Sequence, residues 1–342
     1  MGTSTDVGGA SRVMTSSPST EQPRVVWWRA VVALIITAAV VALLVAEVGG
    51  VERSAAALAD ARWAYAPIPI AIVTFVLFVG VLKWRVILQA MGYELALRQG
   101  LYAFLASAPL AAITPSRAGD LLRASVISSH VPVLRGLGSV LADRLIDIQS
   151  LALLAAAGAV ATDRWFEAMV IAGGVVAAWG GLALVVWQRE RVVSAWPIAR
   201  VRERFEELLD AFVSLRRHPG LLAKQLAYSL LVWVCILGIV YSLAWLFRAE
   251  LRPAEVVALW PLATLFGLIP LTLSGMGTRD AAFIFMLAAY GHGDLNEGRV
   301  LLATLGYALV SSWLWALVGL PFALRWLSTS RSGGVAADAP VD

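Results

Sequence analysis

Long apolar runs, separated by short charged segments, are the feature that most constrains the fold of this chain. Six of them approach the roughly 20 residues that a helix needs to cross a bilayer. Of all residues, 60% are hydrophobic and only 15% are charged, whereas about 25% of the residues in a soluble domain are charged. The sequence therefore predicts an all-α polytopic membrane protein. The predicted full spans are Val25–Val45, Pro67–Leu82, Leu137–Ala161, Ala168–Trp187, Leu222–Phe247 and Val300–Trp326.

Three further apolar segments are shorter or broken, namely Leu101–Ile113, Val256–Leu273 and Ala281–Tyr290. They are either half-helices that enter and leave on one side of the membrane or tilted full spans. We predict two broken or re-entrant helical hairpins, one in each half, which makes eight or so membrane segments. Matched breaks in two halves are typical of transporters built from an inverted repeat, and we expect that relationship here.

The positions of the basic residues predict the orientation of the chain. Most Lys and Arg residues fall on one side of the predicted spans, which favours a cytoplasmic N terminus and C terminus. Residues 1–23 and 329–342 are predicted to be disordered cytoplasmic tails around a transmembrane domain at 24–328. The run from Val25 also has features of a signal sequence. It exceeds the roughly 7–15 apolar residues of such a sequence, so we interpret it as a retained span.

One cytoplasmic loop, residues 200–217, has the pattern of an amphipathic helix. The apolar side chains lie on one face and charged residues cover the other. This helix is either a connector at the membrane interface, which we favour, or a sensor of anionic lipid. The apolar face consists of Val201, Phe205, Leu208, Leu209, Phe212 and Leu215.

The first charged motif is Thr114–Arg123, at the end of a short apolar segment. Pro115 cannot extend a helix, and the threonine before it or the serine after it can cap a new one. Arg117 and Arg123 near a helix N-terminus favour an anion such as phosphate, with Asp120 between them. The alternative is a cytoplasmic turn whose arginines follow only the orientation rule.

The second motif is Leu273–Asp280 in the other half of the chain. Gly275 and Gly277 permit left-handed backbone and the close approach of a ligand. Arg279 and Asp280 then open an apolar helix, where solubility does not require an ion pair. The second motif therefore predicts a functional site.

A third cluster lies inside a strong span. Asp143 and Asp147 are four residues apart on one helix face, and Arg144 can bridge to Asp147. A lone charge at the bilayer centre costs about 2.5–3.5 kcal/mol, so we expect the three side chains to face the protein interior. The alternative is an ion network that only fixes helix packing.

Metal and cofactor sites are not expected. Cys235 is the only cysteine, and the three histidines are far apart in sequence, so no common metal-ligand spacing occurs. Most tryptophans, Trp63 and Trp84 among them, lie near span ends and are interpreted as interfacial anchors.

Together, Pro115–Arg123, Ala142–Asp147 and Gly275–Asp280 resemble the lysylphosphatidylglycerol synthase transmembrane (flippase-like) family in order and spacing. The resemblance covers roughly Trp27 to Trp326. Asp143 and Asp280 stand where the family often has Glu, and the shorter side chain reduces the reach of the carboxylate.

In the synthases, a soluble aminoacyl-transferase domain follows the membrane domain. Only a short segment follows Trp326 here. The resemblance therefore implies a stand-alone member that translocates lipid and is not an enzyme. The implied substrate is an anionic lipid, either a polyprenyl-phosphate-linked sugar or an aminoacylated phospholipid. The implied location is the bacterial inner membrane, with glycosyltransferases of the envelope pathway as partners and no nucleic acid.

We predict a central polar cavity in which arginines bind the lipid phosphate and carboxylates balance their charge or carry a coupling proton. The substrate-binding residues would be Arg117, Arg123, Arg144 and Arg279. The carboxylates would be Asp120, Asp143, Asp147 and Asp280. The backbone hinges would be Pro115, Gly119, Gly275 and Gly277.

Two alternatives have no transport activity. The first is a membrane scaffold or accessory protein that binds through the amphipathic helix. The second is an enzyme of lipid-linked glycosylation with Asp120 or Asp147 as base or metal ligand. A nearby arginine would compete with a divalent cation for either carboxylate.

Overall fold

A computed structural model describes residues 50–114, 117–188, 199–268, 272, 275–289 and 296–335, with isolated positions between 35 and 46. The predicted first span, Val25–Val45, and the predicted hinge at Pro115 lie mostly or wholly outside these residues. The described part contains twelve α-helices and no β-strand. The helices are α1 Gly50–Ala59, α2 Pro67–Ala90, α3 Leu97–Ile113, α4 Leu122–Val126, α5 Val133–Ala161, α6 Trp165–Trp187, α7 Ala199–Arg217, α8 Pro219–Leu246, α9 Pro253–Gly267, α10 Thr278–Ala289, α11 Glu297–Ala308 and α12 Leu314–Val335.

Four stretches of the described chain are long and apolar enough to cross a membrane, which confirms the all-α polytopic class. They are Trp63–Ala90, Val133–Ala161, Pro219–Leu246 and Glu297–Thr329. The last stretch joins α11 to α12 through a π-helical turn at Leu309–Trp313. Helix α6 has 23 residues, enough for about 34 Å at 1.5 Å per residue. Helix α12 continues to Val335, past residue 329, where the predicted tail begins.

The two predicted hairpins are present, and each is a pair of short helices. The first hairpin consists of α3 and α4, and the second consists of α9 and α10. Helix α3 has 17 residues and α9 has 15, which is too short for a bilayer core of about 30 Å. After α3 the chain turns back on itself and brings Gly119 against the end of α3. A Cβ atom at Gly119 would lie 2.4 Å from the backbone nitrogen of Ala111. After α9 the chain turns back as well and brings Gly275 against the end of α9. A Cβ atom at Gly275 would lie 3.0 Å from the carbonyl oxygen of Gly267.

The two halves repeat one order of elements. Each has a long helix, a short helix, a break, a second short helix and a long closing helix. The opening helices α2 and α8 pack together and are antiparallel, because Arg62 N, before α2, donates to Leu246 O, at the end of α8, over 2.8 Å. Antiparallel equivalent helices mean that the halves have opposite orientations in the membrane. The order of the elements and the antiparallel opening helices agree with the predicted inverted repeat.

Each half holds the hairpin of the other. Helix α3 packs on α12, and α9 packs on α5. At both contacts a glycine of the closing helix meets backbone. A Cβ atom at Gly158 would lie 2.6 Å from the Cα of Ala258, and one at Gly319 would lie 2.2 Å from the carbonyl oxygen of Leu105. These two matched glycines allow the hairpins to pack closely between the long helices.

The amphipathic helix α7 lies against the protein. Ala211 and Leu215 are buried with Ile146 of α5 in one apolar cluster, and the backbone of Leu208 contacts Gly138. Of the predicted apolar face, Leu209 and Leu215 are buried, and Phe212 packs against the same cluster as Leu215. This packing supports the connector interpretation over a helix that enters lipid. The side chains of Val201 and Phe205 lie outside the described residues.

Candidate functional site

A cavity of about 450 Å³ lies where the two halves meet, and we call it the central cavity. All four arginines predicted to bind substrate line it, although they come from separate segments of the chain. Two of the four predicted carboxylates line it as well, and the other two are hydrogen-bonded to lining arginines. The charged lining residues are Lys83, Arg117, Arg123, Asp143, Arg144, Asp147 and Arg279.

Arg123 is the most deeply buried cation of the site, with 0% of the residue exposed. Its guanidinium lies between two aromatic rings, 4.2 Å from the centroid of Phe104 and 5.3 Å from that of Trp84. The Nε atom donates to the carbonyl oxygen of Asp120 over 3.1 Å. Cation–π contacts of this kind stabilise a desolvated arginine by about 2 kcal/mol or more. The rings therefore hold the cation in place without neutralising it.

Both terminal nitrogens of Arg123 lack a hydrogen bond to any described residue. Nη2 lies 3.8 Å from Asp143 Oδ2, an ion pair at long distance. Buried donors without acceptors are rare because each lost hydrogen bond to a charged group is costly. Nε of Arg144, which borders the same cavity, lacks a hydrogen bond as well. The site thus presents buried N–H groups suited to an anionic oxygen.

The carboxylate of Asp120 holds one arginine of the first motif and one arginine of α5. Its Oδ2 accepts hydrogen bonds from Arg144 and, over 3.5 Å, from Nε of Arg117. Arg117 has a left-handed backbone, with φ at 56°, and its Nη1 donates to Ser312 Oγ in the other half over 3.1 Å. The N–H of Gly119 donates to Thr114 Oγ1 over 2.8 Å. The break after α3 therefore positions two cations and connects the two repeats.

Arg144 corrects one expectation from the sequence. It pairs with Asp120 across the hairpin, and the expected bridge to Asp147 on the same helix does not form. Asp147 is instead 2.5 Å from Nζ of Lys83 and accepts a hydrogen bond from Ser229. The long-range pair forms because the first hairpin places Asp120 against α5.

Lys83 is a site residue that the sequence analysis missed. The predicted span ended at Leu82, which left Lys83 outside it, but α2 continues to Ala90 and the lysine is buried at 3% exposure. Its Nζ also lies 3.1 Å from Asp143 Oδ1, which Gln225 of α8 contacts over the same distance. A signal was present, because apolar residues flank Lys83 on both sides at helical spacing. Lys83 therefore connects α2 to the acidic face of α5.

Arg279 occupies the second hairpin and is paired with the neighbouring Asp280. Its Nη2 and Nε donate to Asp280 Oδ1 over 2.8 and 3.1 Å, and Asp280 Oδ2 accepts from Gly277 N over 2.9 Å. The guanidinium lies 4.9 Å from the ring of Trp260 and 4.7 Å from that of Tyr307. Each hairpin therefore carries an arginine held by aromatic rings. Among the described residues, Arg123 has two buried nitrogens without a hydrogen bond, whereas Nε and Nη2 of Arg279 are bonded to Asp280.

The glycines of the second motif have the expected conformation. Gly275 has φ at 74° and Gly277 at 90°, which favours glycine because the left-handed region admits it without steric cost. Gly275 also borders the central cavity.

The position of Trp84 corrects another expectation. Trp84 and Trp260 are both fully buried, and each stacks on a cavity arginine. Trp84 was predicted to be an interfacial anchor, but its Nε1 donates to Ser139 Oγ of α5 over 2.9 Å. Because α2 runs beyond the predicted span end, Trp84 lies inside the protein. Trp63 is 54% exposed, as an interfacial residue is.

The charges of the site nearly cancel. Five cations face four carboxylates, which leaves one positive charge. Removing one partner of a buried pair costs about 3–5 kcal/mol, so the described network stabilises the protein as well as forming a site. The cations are Lys83, Arg117, Arg123, Arg144 and Arg279, and the carboxylates are Asp120, Asp143, Asp147 and Asp280.

The fold and the central cavity define a polytopic α-helical membrane protein with an inverted repeat and a buried cationic site. Residues 30–319 match the family model described as the lysylphosphatidylglycerol synthase TM region. The chain belongs to this family, as the motif resemblance indicated. It is also similar to a UPF0104 membrane protein of Methanothermobacter thermautotrophicus (strain Delta H). That relative is 23% identical over 321 residues, which cover 84% of this chain and 93% of the relative.

Proposed function

We propose that this protein translocates an anionic lipid between the leaflets of the bacterial inner membrane, with the lipid phosphate bound in the central cavity. The substrate is a polyprenyl-phosphate-linked sugar or an aminoacylated phospholipid. The observation that carries the proposal is Arg123, which is completely buried beside the cavity, yet its two terminal nitrogens form no hydrogen bond with the described part of the chain. A phosphate group supplies the acceptors that these donors lack.

The phosphate is bound by the first hairpin and α5. Arg123 contributes its two free nitrogens, and Arg144 contributes Nε. Arg117 borders the same volume and is 34% exposed at its side chain. Asp120 holds the latter two arginines in place and balances their charge in the empty site. Arg279, already bidentate to its own carboxylate, stabilises the second hairpin and adds positive potential.

The remaining lining of the cavity suits the rest of a lipid. The volume of about 450 Å³ lies within the roughly 300–1,000 Å³ typical of small-molecule sites, so it suits a headgroup. Apolar side chains of α2 and α8 continue the wall, namely Val73, Val76, Leu77, Val232, Ile236 and Ile239. A site with a cationic end and an apolar wall fits an amphiphile better than a free sugar phosphate.

The experiment is a lipid-scrambling assay in proteoliposomes. Fluorescent analogues of phosphatidylglycerol and of a polyprenyl-phosphate sugar are reconstituted with the wild-type protein. Dithionite then quenches the fluorophores in the outer leaflet, and translocation brings further fluorophores to that leaflet. Arg123→Gln should abolish the protein-dependent quenching, and Arg123→Lys should retain part of it because the charge remains. The matched control is Arg216→Gln, on the exposed face of α7.

Each outcome has a defined meaning. Protein-dependent quenching that Arg123→Gln removes and Arg216→Gln leaves intact supports translocation through the central cavity. Quenching that survives Arg123→Gln in folded protein means that the lipid takes another path. No quenching above empty liposomes with either lipid contradicts the proposal and favours an accessory, scaffold or enzyme of lipid-linked glycosylation.

A further inference from the structure

A second pocket, of about 380 Å³, lies where α2 begins and α8 ends, and we call it the surface pocket. Since α8 is long enough to span the membrane, its last turn reaches a membrane surface. Helix α7 leads into the other end of α8, so the pocket and α7 are on opposite surfaces. The nearby Trp63 and Tyr65 are exposed, at 54% and 42%, as aromatic residues at the lipid–water boundary are.

Two of the three arginines in the surface pocket share one carboxylate, that of Asp60. Arg299 Nη2 donates to Asp60 Oδ2 over 2.9 Å, and Arg248 Nε lies 3.7 Å from the same oxygen. Arg299 Nη1 donates to the carbonyl oxygen of Arg248 over 3.2 Å. Arg62 is the third cation, and Glu250 is the second carboxylate of the wall. The pocket thus has one positive charge in excess.

Arg62 has no carboxylate within ion-pair distance among the residues that the structure describes. Its guanidinium carbon lies 4.4 Å from the ring centroid of Trp245, and its backbone nitrogen is bonded to Leu246 O. An aromatic face thus positions the cation while its N–H groups stay available. Arg123 in the central cavity is likewise held by aromatic rings, those of Phe104 and Trp84.

The backbone of the surface pocket is strained. Arg248 and Glu250 have φ at 55° and 52°, in the left-handed region that non-glycine residues seldom adopt. Such residues persist only where their surroundings hold them, and they concentrate at binding sites. Arg117, the only other described non-glycine residue with positive φ at a cavity, lines the central site. At Arg248 this conformation belongs to the C-terminal cap of α8, because Ala249 N donates to Ala244 O over 2.8 Å. The turn holds Arg248 and Glu250 in the wall of the pocket.

We propose that the surface pocket binds the phosphate of an anionic phospholipid in the leaflet at the α2 start. Arginine suits phosphate through paired N–H donors, and the location at a span end suits a headgroup. Trp245, half-exposed beside Arg62, offers an apolar surface to the adjoining glycerol or chain. Glu250 opposes the anion and lowers the affinity of the pocket, which keeps the bound lipid exchangeable. This site is separate from the central cavity and does not depend on translocation.

The test measures lipid binding to the purified full chain by native mass spectrometry, in micelles titrated with phosphatidylglycerol or with phosphatidylcholine. Arg62→Gln should weaken phosphatidylglycerol binding at one site about tenfold, because one charge-assisted contact is lost. Glu250→Gln should strengthen it, and misfolding cannot produce a gain. Arg252→Gln is the matched control, since its side chain is 76% exposed on the same surface and outside the pocket.

The comparison with Arg123→Gln separates the two sites. If both sites retain lipid, Arg62→Gln and Arg123→Gln should each remove one tightly bound lipid, and the double variant should remove two. The proposal is overturned if neither Arg62→Gln nor Glu250→Gln changes binding, or if Arg252→Gln has an equal effect. It is also overturned if inorganic phosphate saturates the site while phosphatidylglycerol is not retained, because the ligand is then a soluble anion.

Discussion

Arg144 is paired with Asp120, which lies 24 residues earlier in the chain and on the opposite side of a hairpin. The pair joins α5 to the break after α3, so the charge of a long helix is balanced by a segment that does not span the membrane. The same carboxylate accepts a hydrogen bond from Arg117. Any movement of the first hairpin must therefore alter the charge balance of the central cavity. This coupling links the packing of the hairpin to the occupancy of the site.

Asp120→Asn should destabilise the protein. The change leaves Arg117 and Arg144 without their carboxylate, and Arg144 is 39% exposed to the cavity. We therefore expect a loss of about 3 kcal/mol in the free energy of unfolding, at the lower end of the range for broken buried pairs. The measurement is thermal unfolding in detergent.

The double variant Asp120→Asn/Arg144→Gln should recover part of that loss, since no unpaired charge is left on α5. Glu206→Gln, on the exposed face of α7, is the control and should leave the unfolding temperature unchanged. A double variant no more stable than Asp120→Asn would show that the pair is not coupled.

Gly158→Ala and Gly319→Ala should be similarly destabilising, because each glycine meets backbone of the opposite hairpin. A methyl group would lie 2.6 Å or less from those atoms, and overpacking of this kind costs about 1–3 kcal/mol. Gly174→Ala on α6 is the control. Its added methyl meets nothing within 4 Å, so alanine should be neutral or slightly stabilising. Unequal responses of the two hairpin glycines would argue against the matched packing of the repeat.

Lys83→Met should destabilise the protein by about 3–5 kcal/mol, because two carboxylates on α5 lose their shared cation. The double variant Lys83→Met/Asp147→Asn should be more stable than the single one. Lys224→Met, at an exposed position at the start of α8, is the matched control. Equal unfolding temperatures for Lys83→Met and Lys224→Met would contradict the placement of Lys83 inside the protein.

The predicted orientation can be tested with single cysteines. In a Cys235→Ala background, Arg252→Cys should react with a membrane-impermeant maleimide in intact cells, because the end of α8 is predicted to face outward. Arg216→Cys should react only after permeabilisation, since α7 lies at the other end of that span. Both arginines are exposed in the structure. The opposite labelling pattern would reverse the predicted topology.

Much of the fold could be predicted because membrane insertion leaves a strong local signal. A helix needs about 20 apolar residues to span a bilayer. Helix-breaking residues inside apolar runs indicate the hairpins, because broken backbone at membrane depth must be buried in protein or line a cavity. The helix bounds at Pro67, Pro219 and Pro253 follow from proline at the first helical turn. Two helix ends were predicted too early. Helix α2 runs beyond Leu82, because Lys83 was assumed to mark the membrane surface, and α12 runs beyond residue 329.

The functional roles of the site residues remain predictions, although the structure places the charged ones together. The four arginines could be selected from the sequence because each is an ionisable group in an apolar segment. The carboxylates that pair with these arginines could not be predicted from the sequence. Local spacing favoured Arg144 with Asp147, whereas the folded hairpin places Asp120 nearer. Trp84 and Lys83 were assigned to the surface because nothing local shows that α2 continues into the protein.

The amino-acid sequence by itself determined that this chain is a helical membrane protein with two interrupted hairpins and ionisable groups in its apolar segments. Transfer free energies along the chain, which depend only on local composition, are sufficient for that. The tertiary structure decided which arginines share carboxylates, which remain with free donors, and that Arg123 rests between two aromatic rings. Those features depend on contacts between residues far apart in the chain, because in a low-dielectric interior the spatially nearest counter-charge determines the pairing.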